Sequence, residues 1–218
     1  MQLLEVPTIP PIPKHYMDVP GFNNEAHNES LQETARLVQP GSKVLEVGTA
    51  WGRSTWSLLD SLPSPIELHV LDSFIHLEGG KIRHYEGCMK KHADIVCQRY
   101  ALKVFMEEGQ RACWDWSLKQ HPRMNTDKIV VHQMLSEKFR ETDDIKWDLV
   151  YLDACHSYQS VSGELNKWTD CPILCGDDYH PVHKGVVKAV DEFLAKHPER
   201  QFWHDTPESR SGFFRILA

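Results

Sequence analysis

The sequence lacks three features that would place it in a membrane or in an oxidising compartment. It has no CxxC pair among its six cysteines, and their spacing is typical neither of a zinc ribbon nor of a compact disulfide scaffold. We therefore expect reduced, mostly buried thiols, as in a cytoplasmic protein. No run approaches the ~18 apolar residues of a transmembrane helix. The N-terminus lacks the basic start and apolar core of a signal peptide, so we expect no membrane partner.

Positive charge is also scarce. There are 24 Lys and Arg residues against 31 Asp and Glu, a formal net charge of −7, which disfavours a nucleic-acid partner. The 218 residues are 41% hydrophobic, as expected for one globular domain spanning residues 1–218. Residues 1–27 are rich in proline and predict an N-terminal arm, which serves either as a surface strap or as an active-site cover.

Phosphate-binding motifs are absent as well: there is neither a Walker sequence nor G-x-G-x-x-G. In their place an apolar strand, 44–47, leads into E-x-G-x-x-x-G and a helix over 54–62. Gly48 and Gly52 allow this turn to approach a ligand closely. Glu46 places a carboxylate there, which disfavours phosphate and suits an ammonium group. Asp72 follows the next strand, where an acid can accept hydrogen bonds from ribose hydroxyls.

Short apolar strands alternate with helices along the rest of the chain. Strands are predicted at 44–47, 67–71, 128–132, 147–152, 172–175, 201–204 and 212–217, with further helices at 28–38, capped by Asn28 or Ser30, and at 186–197. This alternation predicts a parallel sheet covered on both faces, and the last two strands predict an antiparallel edge. Residues 76–127 form an unusually long connection with a helical stretch at 86–108. It is either a lid over the sheet edge or a second crossover helix.

Acidic residues end the fourth and fifth strands, at Asp153 and at Asp177-Asp178. Neighbouring strands lie about 4.8 Å apart, so we expect the three carboxylates to converge, and some of them either to be protonated or to bind a cation. All-oxygen ligation favours Mg²⁺ over Zn²⁺. His156 lies on the same loop as Asp153, and the pair His180/His183 is an alternative source of nitrogen ligands for iron or zinc. Asp178 could instead cap the following helix.

Two motifs resemble a known family. E-x-G-x-x-x-G resembles motif I of the class I S-adenosylmethionine-dependent methyltransferases. The D-x-x-H at 153–156, followed by Gly176-Asp177-Asp178-Tyr179, resembles the metal-dependent macrocin, aminocoumarin-sugar and cephalosporin-hydroxylase-like O-methyltransferases. The resemblance implies an α/β, Rossmann-like, doubly wound and mostly parallel seven-stranded sheet of order 3-2-1-4-5-7-6, with a helical insertion between strands 2 and 3.

The resemblance also assigns roles to residues. It implies that S-adenosylmethionine is bound at its amino-acid end by Glu46, Gly48, Thr49 and Gly52, at its ribose by Asp72, and at its adenine by Gln133 and Ser136, with Ser54 as a further cofactor-binding residue. In relatives a glycine stands where this chain has Met134. Asp153, Asp177 and Asp178 match the Mg²⁺ ligands, and His156, with Asp153, matches the catalytic base.

The function that follows is Mg-dependent O-methylation of a small hydroxylated molecule, of sugar or natural-product type, with a homodimer left open. The alternatives are a metal-independent methyltransferase, a dinucleotide oxidoreductase or other nucleotide-cofactor-binding protein, and a non-catalytic binding protein. The Asn/Asp-Pro-Pro-Tyr/Phe signature of amino-base methylation is missing after strand 4.

Overall fold

A computed structural model describes residues 7, 9–75, 95–205 and 211–218 of the chain. Its strands are β1 (Lys43–Val47), β2 (Glu67–Asp72), β3 (Lys128–Gln133), β4 (Leu149–Leu152), β5 (Ile173–Gly176), β6 (Gln201–His204) and β7 (Phe214–Leu217). Its α-helices are α1 (Glu25–Ala35), α2 (Arg53–Ser61), α3 (Val96–Glu108), α4 (Gln110–Lys119), α5 (Ser136–Thr142), α6 (Tyr158–Lys167) and α7 (Lys184–Lys196). Short 3-10 turns lie at Tyr16–Asp18 and Pro122–Asn125. None of the described helices is long and apolar enough to span a bilayer.

The seven strands form one sheet of order β3-β2-β1-β4-β5-β7-β6, which confirms the predicted architecture. The five strands from β3 to β5 pair in parallel, and β7 pairs antiparallel with both β5 and β6. The carboxyl ends of the parallel strands therefore meet at one edge of the sheet, and the candidate residues lie there.

The sheet is covered on both faces because successive strand residues point to opposite sides. In β1, Val44 packs with helices α1 and α2, whereas Leu45 and Val47 pack with α6 and α7. A smaller cluster joins Trp51 of the glycine-rich turn to the apolar faces of α3 and α4. The part of the 76–127 insertion that is described thus packs against this turn, and residues 76–94 lie outside the described residues.

The predicted start of α1 was wrong. The helix begins at Glu25 rather than at residue 28, because the Asn24 side chain accepts a hydrogen bond from the His27 N–H at 2.9 Å and caps it. Asn28 and Ser30, the predicted caps, are buried within the helix. In the insertion, Gly109, with φ of 94°, separates α3 from α4.

Four of the described cysteines are free and buried, as expected, and Cys155 is free and exposed. The remaining cysteine, Cys88, lies outside the described residues.

Candidate functional site

The glycine-rich turn between β1 and α2 is pressed against the end of β4. Gly48 has a φ of 86°, and a Cβ atom there would lie 2.2 Å from the Asp153 carbonyl oxygen. The Gly52 φ is 101°, and a Cβ there would lie 2.2 Å from a Leu118 methyl group of α4. Both positive φ values favour glycine, and at Gly48 the contact is with backbone, which leaves no room for a Cβ atom.

Glu46 is buried beneath this turn rather than facing the crevice. Its carboxyl oxygens accept hydrogen bonds from the hydroxyls of Ser54 and Thr55, each at 2.5 Å. Burial raises the pKa of Glu46 to about 8, so the carboxyl is largely neutral at pH 7. The expectation of an ionised Glu46 facing an ammonium group is corrected here, since Glu46 and Ser54 instead join β1 to α2.

Asp72 closes the turn from the neighbouring strand. Its Oδ2 accepts hydrogen bonds from the backbone N–H groups of Thr49 and Ala50, at 3.0 and 3.2 Å. Its Oδ1 accepts from the Phe74 N–H at 2.7 Å and from the Gln110 side chain at 3.3 Å. The carboxylate lies at the predicted place, yet protein donors occupy both of its oxygens.

Helix α4 covers the same turn. Gln110 also donates to the Ala50 carbonyl oxygen at 3.1 Å, and the Trp114 indole N–H donates to the Thr49 hydroxyl at 2.9 Å. Both residues come from the 76–127 insertion, and neither contact is indicated by a sequence pattern. The turn and Asp72 are therefore covered by Gln110 and Trp114 of α4.

The two adenine-side candidates differ in their placement. Gln133 ends β3 beside Asp72 in the register, and it is exposed. Ser136 is buried and donates to the Glu164 carboxyl of α6 at 2.7 Å. Gln133 thus lies at the expected edge, whereas the Ser136 hydroxyl is directed to a neighbouring helix.

The acids that follow β4 and β5 are positioned by backbone hydrogen bonds to the neighbouring strands. The Asp153 N–H donates to the Val47 carbonyl at 2.8 Å, and the Asp177 N–H donates to the Leu152 carbonyl at 3.1 Å. Asp153, Asp177 and Asp178 therefore lie at neighbouring strand ends, as the sequence predicted.

A buried histidine joins two of these acids. His27 of α1 lies 3.2 Å from Asp177 through Nδ1 and 2.9 Å from the Tyr151 hydroxyl through Nε2. The Tyr151 hydroxyl donates to Asp153 at 2.8 Å and accepts from the Asn23 side chain at 2.9 Å. Asn23 also donates to Asp153 at 3.3 Å, so the N-terminal arm reaches the site.

The charges of this network follow from its burial. Burial alone would lower the pKa of His27, but the Asp177 carboxylate outweighs it and raises that pKa to about 9. Burial would raise the pKa of Asp177, and the His27 charge instead holds it below the ordinary value. Burial and the nearby Asp177 charge raise the pKa of Asp153. His27 and Asp177 thus form a buried ion pair, which the sequence analysis missed.

The Asp178 carboxylate contacts two histidines. Its Oδ2 lies 2.6 Å from His156 Nδ1, and its Oδ1 lies 3.3 Å from His183 Nε2. His156 Nε2 is 3.8 Å from Asp153 Oδ1. The contacts of His156 with Asp153 and Asp178 raise its pKa to about 10, so its imidazole carries a proton near pH 7.

The three aspartates do not form one ligand group. Within the described residues, the three side chains whose ligand atoms lie within 4.8 Å of one another are His156, Asp178 and His183. Asp153 and Asp177 are instead held by Tyr151, Asn23 and His27. The convergence of Asp153, Asp177 and Asp178 on one Mg²⁺ is therefore corrected for this conformation.

No protein-family model matches the sequence, and no curated protein is significantly similar to it. Solved structures share its fold. An O-methyltransferase from Bacillus cereus in complex with S-adenosylhomocysteine (SAH) is 17% identical, with 95% of this chain and 93% of that chain covered and a TM-score of 0.54. The O-methyltransferase TomG from Streptomyces achromogenes, in complex with S-adenosylmethionine, is 16% identical, with coverage of 89% and 80% and a TM-score of 0.52. A cyclopropane-fatty-acyl-phospholipid synthase-like protein from Lactobacillus casei is 11% identical, with coverage of 93% and 97% and a TM-score of 0.51.

These similarities establish the fold. The chain has the seven-stranded, Rossmann-like fold of S-adenosylmethionine-dependent methyltransferase structures. At this level of identity the activity rests on the residues of the site.

Proposed function

We propose that the chain is an S-adenosylmethionine-dependent methyltransferase that acts on a hydroxyl oxygen of a small molecule. The observation that carries the proposal is the contact of Gly48 with the Asp153 backbone. This contact joins the glycine-rich turn to the strand end that bears Asp153 and His156. The donor and acceptor of a methyl group must be held this close and aligned, because the methyl carbon passes directly from sulfur to oxygen.

The proposed cofactor lies along the edge formed by the turn, Asp72 and Gln133. The turn motif and the bound cofactors of two structures with this fold support the choice of S-adenosylmethionine. Because Gln110 and Trp114 occupy the turn, cofactor binding moves α4 away from it. Asp72 then exchanges its bond with Gln110 for one with a ribose hydroxyl. Glu46 and Ser54 act from beneath, by fixing the turn.

In the proposed reaction the bond between sulfur and the methyl carbon breaks, and the carbon forms a bond with the acceptor oxygen. The proton of the hydroxyl passes to the pair His156 and Asp153. The His156 side chain is 38% exposed, so a small acceptor can reach it. His156 is already protonated near pH 7, so it must lose that proton before it can act as a base. It does so when a bound group takes the place of the Asp178 carboxylate beside Nδ1.

The proposed reaction does not use Mg²⁺. A Mg²⁺ site needs several oxygen ligands in near-octahedral geometry, and Asp153, Asp177 and Asp178 do not gather in that way. These three residues therefore do not fit a Mg²⁺ site.

The acceptor is proposed to be a small molecule because the net charge of −7 disfavours nucleic acid. A cytoplasmic location and a homodimer stay predictions.

Transfer of the labelled methyl group of S-adenosylmethionine to a panel of hydroxylated small molecules tests the proposal. His156→Gln is expected to lower kcat by about 10²–10⁴-fold on any substrate found. The control is His197→Gln, at the far end of α7, which should retain full turnover. Excess EDTA separates metal-dependent from metal-independent transfer. Full turnover by His156→Gln would contradict the role of His156, and SAH binding without any transfer would favour a non-catalytic binding protein.

A further inference from the structure

Two loops at the carboxyl edge of the sheet bring a carboxylate and two imidazoles together. His156 follows β4, whereas Asp178 and His183 both follow β5. Asp178 contacts both histidines, at 2.6 and 3.3 Å, and the two rings lie 5.4 Å apart between centroids at an angle of 83°. We call these three residues the His-Asp-His cluster.

The backbone explains why these side chains meet. A Cβ atom on Gly185, in the first turn of α7, would lie 2.6 Å from the His156 carbonyl oxygen, so only glycine lets α7 approach the loop after β4 so closely. Asp178 has a φ of 63°, and the His180 and Tyr179 N–H groups donate to the Asp178 and Gly212 carbonyls at 2.7 and 2.8 Å. These backbone contacts bring the segments that bear the three side chains next to each other.

We propose that the His-Asp-His cluster binds a divalent metal ion of the zinc type through His156 Nδ1, the Asp178 carboxylate and His183 Nε2. Two imidazoles and one carboxylate suit Zn²⁺, Co²⁺, Ni²⁺ or Fe²⁺, whereas Mg²⁺ prefers oxygen ligands. The ion replaces the proton between His156 and Asp178, and that proton passes to solvent. The side chains of His156, Asp178 and His183 are 38%, 21% and 36% exposed, so an ion can enter.

A carboxylate, Asp153, lies beside the second ring nitrogen of His156. Its Oδ1 lies 3.8 Å from His156 Nε2, whereas Asp178 contacts Nδ1. A ligating histidine usually donates its other N–H to a carboxylate, which fixes the ring and its tautomer. Three protein ligands leave a coordination position open, as in catalytic rather than structural zinc sites. With the ion bound, His156 is a metal ligand positioned by Asp153, and its role as the base of the proposed transfer belongs to the metal-free chain.

Co²⁺ titration of the full-length protein, after EDTA treatment and dialysis, tests this site. We expect one Co²⁺ per chain with the visible absorption of a low-coordinate cobalt site, displacement by equimolar Zn²⁺, and no displacement by millimolar Mg²⁺. His183→Ala should weaken Co²⁺ binding by at least about 100-fold, and Asp153→Asn by about 10–100-fold. Asp178→Asn provides a second ligand variant, because asparagine tolerates the positive φ.

Two variants serve as controls. His180→Ala alters the same loop outside the cluster, and Cys155→Ser removes the exposed thiol, so both should bind Co²⁺ like the natural chain. The proposal is overturned if no Co²⁺ binds, if His183→Ala and His180→Ala bind equally well, if Mg²⁺ competes with Co²⁺, or if Cys155→Ser abolishes binding. Because the titration involves no methyl transfer, the metal site and the proposed function can fail separately.

Discussion

Gly48→Ala tests whether the contact between the turn and the end of β4 builds the site. Gly48 and Gly41 have nearly the same φ, 86° and 88°, so alanine strains the backbone equally at both, by about 1–2 kcal/mol. A Cβ at residue 48 would lie 2.2 Å from the Asp153 carbonyl oxygen, whereas a Cβ at residue 41 would have nothing within 4 Å. The clash at residue 48 adds about 1–3 kcal/mol of overpacking.

We expect Gly41→Ala to lower the free energy of unfolding by about 1–2 kcal/mol and to keep SAH binding. Gly48→Ala should lower it by roughly 2–5 kcal/mol and abolish SAH binding. Urea denaturation and calorimetry with SAH measure the two quantities. Equal losses of stability in the two variants, or normal SAH affinity in Gly48→Ala, would show that the contact between Gly48 and Asp153 does not build the site.

Three further predictions follow from the site. Glu46 has a pKa of about 8 in the folded state, against an ordinary 4.5. The free energy of unfolding therefore falls as the pH rises from 4.5 to 8, by up to about 1.4 kcal/mol per pH unit. Glu46→Gln should remove this slope in urea denaturation measured from pH 4.5 to 8, and an unchanged slope would contradict the burial argument. Gln110→Ala frees Asp72 and should tighten SAH binding several-fold by calorimetry; weaker binding would show that Gln110 is a ligand of the cofactor. Tyr151→Phe leaves buried polar groups unpaired and should cost about 1–3 kcal/mol in urea denaturation, unlike Tyr158→Phe, whose hydroxyl contacts Glu192; equal effects would argue against the network.

The sheet could be predicted from the sequence because its signals are local. Each parallel strand is a short apolar run, and the acids that end β2, β4 and β5 mark one edge of the sheet. Parallel pairing then brings Asp153 and Asp177 to neighbouring strand ends, as observed.

The partners of these acids could not be predicted, since they depend on tertiary packing. His27 lies 150 positions before Asp177 in the chain and reaches it only because α1 packs beside the sheet. The protonation of Glu46 depends on how closely α2 covers it, which no spacing reveals. The direction of the Asp178 side chain depends on its positive φ, set by the loop it lies in.

The packing of α4 against the glycine-rich turn could not be predicted from the sequence either. Trp114 and Gln110 come from a long insertion, and its aromatic and helical pattern suggested a lid without naming a contact. Of the predicted cofactor residues, Asp72 and Gln133 lie at the expected edge, whereas the Ser136 hydroxyl faces Glu164.

Calorimetry of the natural chain with S-adenosylmethionine, SAH and NADH tests whether the glycine-rich turn is a site for S-adenosylmethionine. We expect one SAH or S-adenosylmethionine per chain, with Kd between about 1 µM and 1 mM, and no NADH binding. At 100 times its Kd, SAH should also stabilise the fold by about 2.7 kcal/mol. Binding of NADH alone would favour a dinucleotide enzyme. Binding of neither S-adenosylmethionine nor SAH at millimolar concentration would contradict the assignment of the glycine-rich turn as a cofactor site.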